Sequence, residues 1–143
     1  MAKRKIIMLK GLPGSGKTTW ARQYIDEHPS TARVNKDDLR AMLHNGKYSN
    51  GRENFVLKVR DFIVDQALAN GHDVVVDDTN CEPKHHARLE EIAAKHGATL
   101  EVKDFTDVPL ETCIERDLRR PNSVGERVIR RMHRQYLEAH APP

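Results

Sequence analysis

Aromatic side chains are scarce in this 143-residue chain: Phe, Tyr and Trp together make up 5%, with one tryptophan. A groove that lays successive bases of a single strand on aromatic rings is therefore not evident. Trp20, Tyr24 and Tyr136 read as packing residues. Cysteine is just as rare. Cys81 and Cys113 are the only two and lack C-x-x-C spacing, so neither a zinc site nor a disulfide framework is indicated. A reducing, cytoplasmic setting is expected, as in a bacterial or phage-infected cell. No apolar run approaches the ~20 residues that cross a bilayer, and no secretory apolar segment opens the chain, so no membrane partner is expected. Internal repeats and low-complexity tracts are missing too.

Net charge is small at +3, but it is unevenly placed. Between Arg116 and Arg134 lie seven arginines and only two acids, Asp117 and Glu126, which suggests a polyanionic ligand near the C-terminal third. Hydrophobic residues at 38% exclude compositional disorder, and the length suits a single domain over residues 1–143.

What is present is organised around Gly11-Leu12-Pro13-Gly14-Ser15-Gly16-Lys17-Thr18, which follows the apolar run Ile6-Ile7-Met8-Leu9. It fits G-x-x-x-x-G-K-[ST], the loop that cradles the phosphates of a nucleoside triphosphate. Glycines let backbone N–H groups close around a polyphosphate, and the helix that starts at the loop's end points its positive pole at the same oxygens. Lys17 is placed to reach the β- and γ-phosphates and Thr18 to bind Mg²⁺. Gly11, Pro13, Gly14, Ser15, Gly16, Lys17, Thr18 and Thr19 are thus the expected nucleotide contacts.

Strand and helix patterns alternate along the rest. Strands are expected over residues 5–9, 32–35, 73–77 and 99–105, the last with Leu100, Val102 and Phe105 under different demands of burial. Helices are expected from Lys17 to Glu27, from Asp37 or Asp38 as cap through Leu43, and from about Phe55 to Asn70 after a polar loop at 47–52. The third helix would turn Phe55, Val59, Phe62, Ile63 and Gln66 inward. Further helices begin at Pro83, at Pro109 and after Gly125, the last presenting Val128, Ile129, Met132 and Tyr136 to the core. Residues 141–143 read as a terminus or a linker stub. The alternation predicts an α/β fold, a parallel sheet with helices on both faces. Ligands gather at the carboxyl ends of such strands, where the phosphate loop, residues 35–38 and Asp78-Thr79-Asn80 all fall.

Asn35-Lys36-Asp37-Asp38 matches the N-K-x-D signature of guanine recognition, but it lies too soon after Lys17, and no D-x-x-G switch occurs. A kinase reading fits better. An aspartate at the second strand's tip can take an acceptor's proton, a role for which Asp37 and Asp38 compete. Asp77 and Asp78 end an apolar strand, where a carboxylate meets hydrated Mg²⁺. Arg116 and Arg120, four apart on one helix face, can swing over the phosphates. His85, His86 and His96 share a helix without a third ligand arranged beside them, and Cys81 carries no mark of a nucleophile.

With these motifs in view, the chain resembles the 5′-OH polynucleotide kinase domain of the T4 phage polynucleotide kinase-phosphatase type. The similarity runs nearly end to end through G-L-P-G-S-G-K-T-T-W-A-R, N-K-D-D-L-R, D-D-T-N followed by Pro83, and R-D-L-R-R-P. The resemblance implies a P-loop kinase sheet in the order 2-3-1-4, with a lid at about 116–125. It implies ATP or another nucleoside triphosphate as donor, Mg²⁺ as cofactor, and 5′-OH ends of DNA or RNA as acceptors. By it, Lys17, Asp37 and Arg120 are catalytic, with Asp37 the general base. Arg116 and Arg120 bind the nucleotide. Asp37, Arg40, Asp78 and Thr79 face the acceptor, Arg40 on its 3′-phosphate, and Thr18 with Asp78 supports the metal through water. The relatives' phosphatase motif D-x-D-x-[TV] is missing, so a phosphatase or ligase domain is expected outside this chain, if anywhere. The rival readings are a small-molecule kinase acting on a sugar, nucleoside or antibiotic, and a nucleotide-dependent binding module without transfer chemistry.

Overall fold

The structure, a computed structural model, describes residues 3–138. Four strands form one parallel sheet: β1 (Lys5–Lys10), β2 (Thr31–Val34), β3 (Asp73–Val76) and β4 (Thr99–Asp104), in the order β2-β3-β1-β4. This is the expected 2-3-1-4. Ile6, Ile7 and Met8 of β1 pair in register with Val74, Val75 and Val76 of β3, so both central strands are buried on two faces and carry unbroken apolar runs.

Side chains alternate across a strand, and this alternation assigns the two faces. Ile7, Leu9 and Val75 pack against α1 (Lys17–Glu27) through Ala21, Trp20, Tyr24 and Ile25. Ile6, Met8, Val74 and Val76 point the other way. They meet Leu39 of α2 (Lys36–His44), Val56, Val64 and Leu68 of α3 (Asn50–Ala69), and Leu89, Ile92 and Ala93 of α4 (Pro83–Lys95). A smaller cluster of Leu12, Cys113, Ile114 and Ile129 fastens α5 (Leu110–Leu118) and α6 (Glu126–Met132) to the phosphate loop.

Several local expectations need correction. Helix α2 is capped by Asn35, whose side chain accepts from the Asp38 amide at 2.9 Å; neither Asp37 nor Asp38 caps it. Helix α3 starts at Asn50 with Ser49 as cap, inside the stretch read as loop. Its buried residues are Val56, Arg60, Val64 and Leu68, while Phe55 and Phe62 are exposed. Strand β4 is an edge strand with only Leu100 half-buried, so Val102 does not reach the core. After α6 the chain passes into a π-helical turn, His133–Leu137. Residues 141–143 lie outside the described residues.

Candidate active site

The phosphate loop is held from three sides. The Gly11 amide donates to Thr79 O at 3.0 Å, tying the loop to the end of β3. Asn80, buried with φ +49°, gives its Nδ2 hydrogens to Leu9 O at 2.7 Å and to Val76 O at 3.3 Å, stitching the ends of β1 and β3 together. Gly14 (φ +81°) lies against α5, where a Cβ would stand 2.2 Å from Cys113 O. That close approach is why only glycine serves there. Gly16, also left-handed, is the N-cap of α1. Lys17 is buried and donates to Gly11 O at 2.9 Å and Leu12 O at 2.7 Å, closing the loop on itself. Burial lowers its pKa, against the pull of Asp77.

Two adjacent carboxylates end β3, and strand alternation sends them opposite ways. Asp77 follows the direction of Val75, toward α1. Its Oδ2 accepts from Thr18 Oγ1 at 2.8 Å and from Arg33 Nε at 2.9 Å. Its other oxygen, Oδ1, is buried without a hydrogen-bond partner among the described residues. Asp78 follows Val76 toward α3, where it accepts from the Lys36 amide at 2.8 Å and from the fully buried Arg60 at 3.4 Å. Burial raises the Asp78 pKa against the pull of Lys36 and Arg60. A hydroxyl beside an unpaired buried carboxylate oxygen, at the foot of a phosphate loop, is a donor set that suits hydrated Mg²⁺. Thr18 and Asp77 form that pair here, whereas Asp78 braces the start of α2.

Across the loop, the first turns of α2 supply the opposite wall. Asp37 is exposed and accepts from Arg40 Nη1 at 2.5 Å. Arg40 also grips both oxygens of Glu53 on α3, through Nη2 and through Nε at 2.9 Å. Its hydrogen bonds to Glu53, and then to Asp37, push its pKa up. Three of its five N–H donors are so engaged, and two remain. Arg33 clamps Asp38 at 2.8 Å, leaving Asp37 as the member of that pair that turns into the cleft.

The turn between α5 and α6 rests on Asp117, which is fully buried at the end of α5. It accepts from the Val124 amide at 3.0 Å and the Gly125 amide at 2.9 Å, and pairs with Arg120. Burial works to raise its pKa, but those amides and then Arg120 hold it low. Arg116 projects from the last turn of α5 toward Gly16.

One cleft of about 410 Å³ joins these parts. Pro13, Gly14, Gly16, Lys17, Thr18, Thr19, Asp37, Arg40, Asp78, Thr79, Arg116 and Arg120 all line it. Gly11 and Ser15 are buried behind it. Sequence reasoning missed Arg33, Glu53, Arg60 and Asp117 as builders of the site, and it placed Asn80 there without a role. Apart from its neighbour Asp61, the partners of Arg60 lie 18 and 20 residues away, so nothing local tied it to the site. Asp117 did carry a local signal: it is one of only two acids in a run of seven arginines.

Parallel strands in the order 2-3-1-4, with a lysine-bearing phosphate loop after β1 and acids at the tips of β2 and β3, define the fold of a P-loop kinase. The chain belongs to the AAA domain family AAA_33, which matches residues 6–143. Among curated proteins it is similar to the L-seryl-tRNA(Sec) kinase of Methanococcus maripaludis, 27% identical over 135 residues, covering 92% of this chain and 52% of that one. It is similar also to a protein of Autographa californica nuclear polyhedrosis virus provisionally named bifunctional polynucleotide kinase/RNA ligase. There the identity is 28% over 151 residues, covering 94% of this chain and 21% of the viral one. A chain solved in the Pnkp1/Rnl/Hen1 RNA repair complex superposes with a TM-score of 0.82 at 28% identity, covering 97% of this chain and 45% of its own length. The chain thus spans about half or less of these relatives' lengths.

Proposed function

We propose that this domain transfers the γ-phosphoryl group of ATP, or another nucleoside triphosphate, to the 5′-hydroxyl end of DNA or RNA. The observation that carries the reading is the placement of Asp37 and Arg40 in the same cleft as Lys17 and Thr18, facing the phosphate loop from the tip of β2. Loop amides and the N-terminus of α1 hold the triphosphate, and Lys17 turns from the loop carbonyls to its outer oxygens. Mg²⁺, held by Thr18 and Asp77, would supply charge neutralisation on the phosphates when bound. Asp37 accepts the proton of the attacking hydroxyl, and Arg40 offers its two remaining N–H donors to the acceptor's next phosphate. Arg116 and Arg120 stabilise the charge that develops on the transferred group, so that positioning and electrostatics carry most of the rate. The basic C-terminal third supports a polyanionic acceptor, whose affinity then falls with salt. The test is end-labelling of short 5′-OH DNA and RNA strands with γ-labelled ATP. Labelled 5′ ends are expected, and their absence with both strands would overturn the reading.

A second reading is favoured by the similarity to L-seryl-tRNA(Sec) kinase: transfer to a hydroxyl carried elsewhere on an RNA, or on a small molecule. Offering seryl-tRNA, a nucleoside 3′-monophosphate and free sugars in parallel with 5′-OH strands separates these acceptors. A cytoplasmic setting and a companion end-processing domain outside this chain belong to the same proposal.

A further inference from the structure

The chain has three tyrosines, and the structure accounts for two of them. Tyr24 is stacked between Trp20 (ring centroids 5.0 Å apart) and His28 (4.0 Å), and the Tyr136 hydroxyl donates to Glu82 at 3.0 Å. Tyr48, in the connection between α2 and α3, stands apart. It is 67% exposed, and its ring centroid lies 5.8 Å from Cζ of Arg40. That arginine is no floppy neighbour. Glu53 and Asp37 take three of its N–H groups, so the guanidinium is a fixed plate, and the ring resting on it is oriented by it.

Position supplies the rest. Arg40 lines the cleft, Tyr48 stands on the same guanidinium just outside it, and the exposed Lys47 and Arg52 lie one residue before and four residues after Tyr48 in the chain. The exposed ring leaves a face free for a flat partner, and Lys47 and Arg52 close by in the chain favour a polyanion as that partner. A nucleic acid entering the cleft by its 5′ end brings a flat base to within a nucleotide's length of Asp37. Resting on the kinase reading above, we propose that Tyr48 is a specificity residue for the acceptor. A nucleobase at or next to the 5′ end stacks on its ring, so that the site selects polynucleotide ends over hydroxyl compounds that carry no base. Stacking needs only a π-face, so the selection is for a base and not for a particular base.

The test compares three 5′-OH oligodeoxynucleotides: intact, abasic at the 5′-terminal nucleotide, and abasic at the second. With the wild-type protein, one abasic strand should show a KM raised roughly five- to a hundredfold, the range that stacking of one base spans. Tyr48→Ala should raise the KM of the intact strand by a similar factor, leave the KM for ATP unchanged, and no longer distinguish that abasic strand from the intact one. Tyr48→Phe should behave as wild type. An intact-strand KM within twofold of wild type in Tyr48→Ala, or an abasic penalty that persists undiminished in that variant, overturns the assignment while leaving the kinase reading in place. Failure of the wild-type protein to label any polynucleotide overturns both.

Discussion

The Thr18 hydroxyl donates to Asp77 Oδ2 at 2.8 Å, joining the first turn of α1 to the tip of β3. The bond leaves Asp77 Oδ1 buried and unpaired among the described residues, and it separates the two neighbouring acids by role. Asp77→Asn keeps the size and removes the charge. It should lower kcat on the order of 10²-fold and raise the Mg²⁺ concentration needed for half-maximal rate. Asp78→Asn should act through the placement of α2 and leave the Mg²⁺ requirement near wild type. Titrating the rate against Mg²⁺ for both variants checks the division, and a shifted requirement in Asp78→Asn alone would reverse it.

Asp117 holds the turn between α5 and α6, the segment proposed as a lid, by two backbone amides and by Arg120. Asp117→Asn should therefore cost tenfold or more in kcat, on the order expected when one charge-stabilising donor loses its position. Because the effect runs through Arg120, it should largely vanish in an Arg120→Ala background. Equal losses in both backgrounds would make Asp117 a stability residue only.

Gly14→Ala would place a Cβ 2.2 Å from Cys113 O at a φ of +81°, whereas at Gly16 the nearest atom to such a Cβ is the flexible Arg116 Nη1 at 3.7 Å. Gly14→Ala should cost at least about 2 kcal/mol of stability, and clearly more than Gly16→Ala. Denaturant melts of the two variants compare them directly.

Fold and loop were legible because their signals are local: unbroken apolar runs for β1 and β3, and the glycine-lysine spacing between β1 and α1. The inner face of α3 was misread because a buried arginine interrupts its apolar stripe. With Arg60 between Val56 and Val64, Phe55 just before Val56 and Phe62 two residues before Val64 made the better-looking face. Arg60 is satisfied by its neighbour Asp61 and by Asp78 and Asn80, and the last two no helical period can reveal. The split between Asp77 and Asp78 was legible in principle. Val75 and Asp77 share a face by strand alternation, and α1 follows the phosphate loop on that face. The cap of α2 was misplaced because Asn35, Asp37 and Asp38 are all capping types within one turn, so the sequence pointed to the two aspartates where the backbone uses Asn35.

His85 is buried beside two cations, and its pKa is lowered from 6.5 to about 4, by burial first and then by the charges of Lys36 and Arg60. A histidine whose folded pKa lies below its unfolded value binds more protons when unfolded. Its neutral form thus fits the fold fully above about pH 6.5, and stability falls as the pH drops from there to about 4, by roughly 3 kcal/mol at most. His85→Gln should flatten that part of the stability–pH curve. Chemical denaturation at intervals across this window, for wild type and variant, should show the two curves converging below pH 5. Parallel curves would contradict the assignment.

Asp37 is the residue on which the proposed chemistry turns, and single-turnover transfer from γ-labelled ATP to a 5′-OH oligonucleotide tests it most directly. With ATP and acceptor both saturating, Asp37→Ala should fold as wild type, bind both substrates, and transfer on the order of 10²–10⁴ times more slowly. A variant that transfers at close to the wild-type rate would show that the proton goes elsewhere, and that the tip of β2 is not the base.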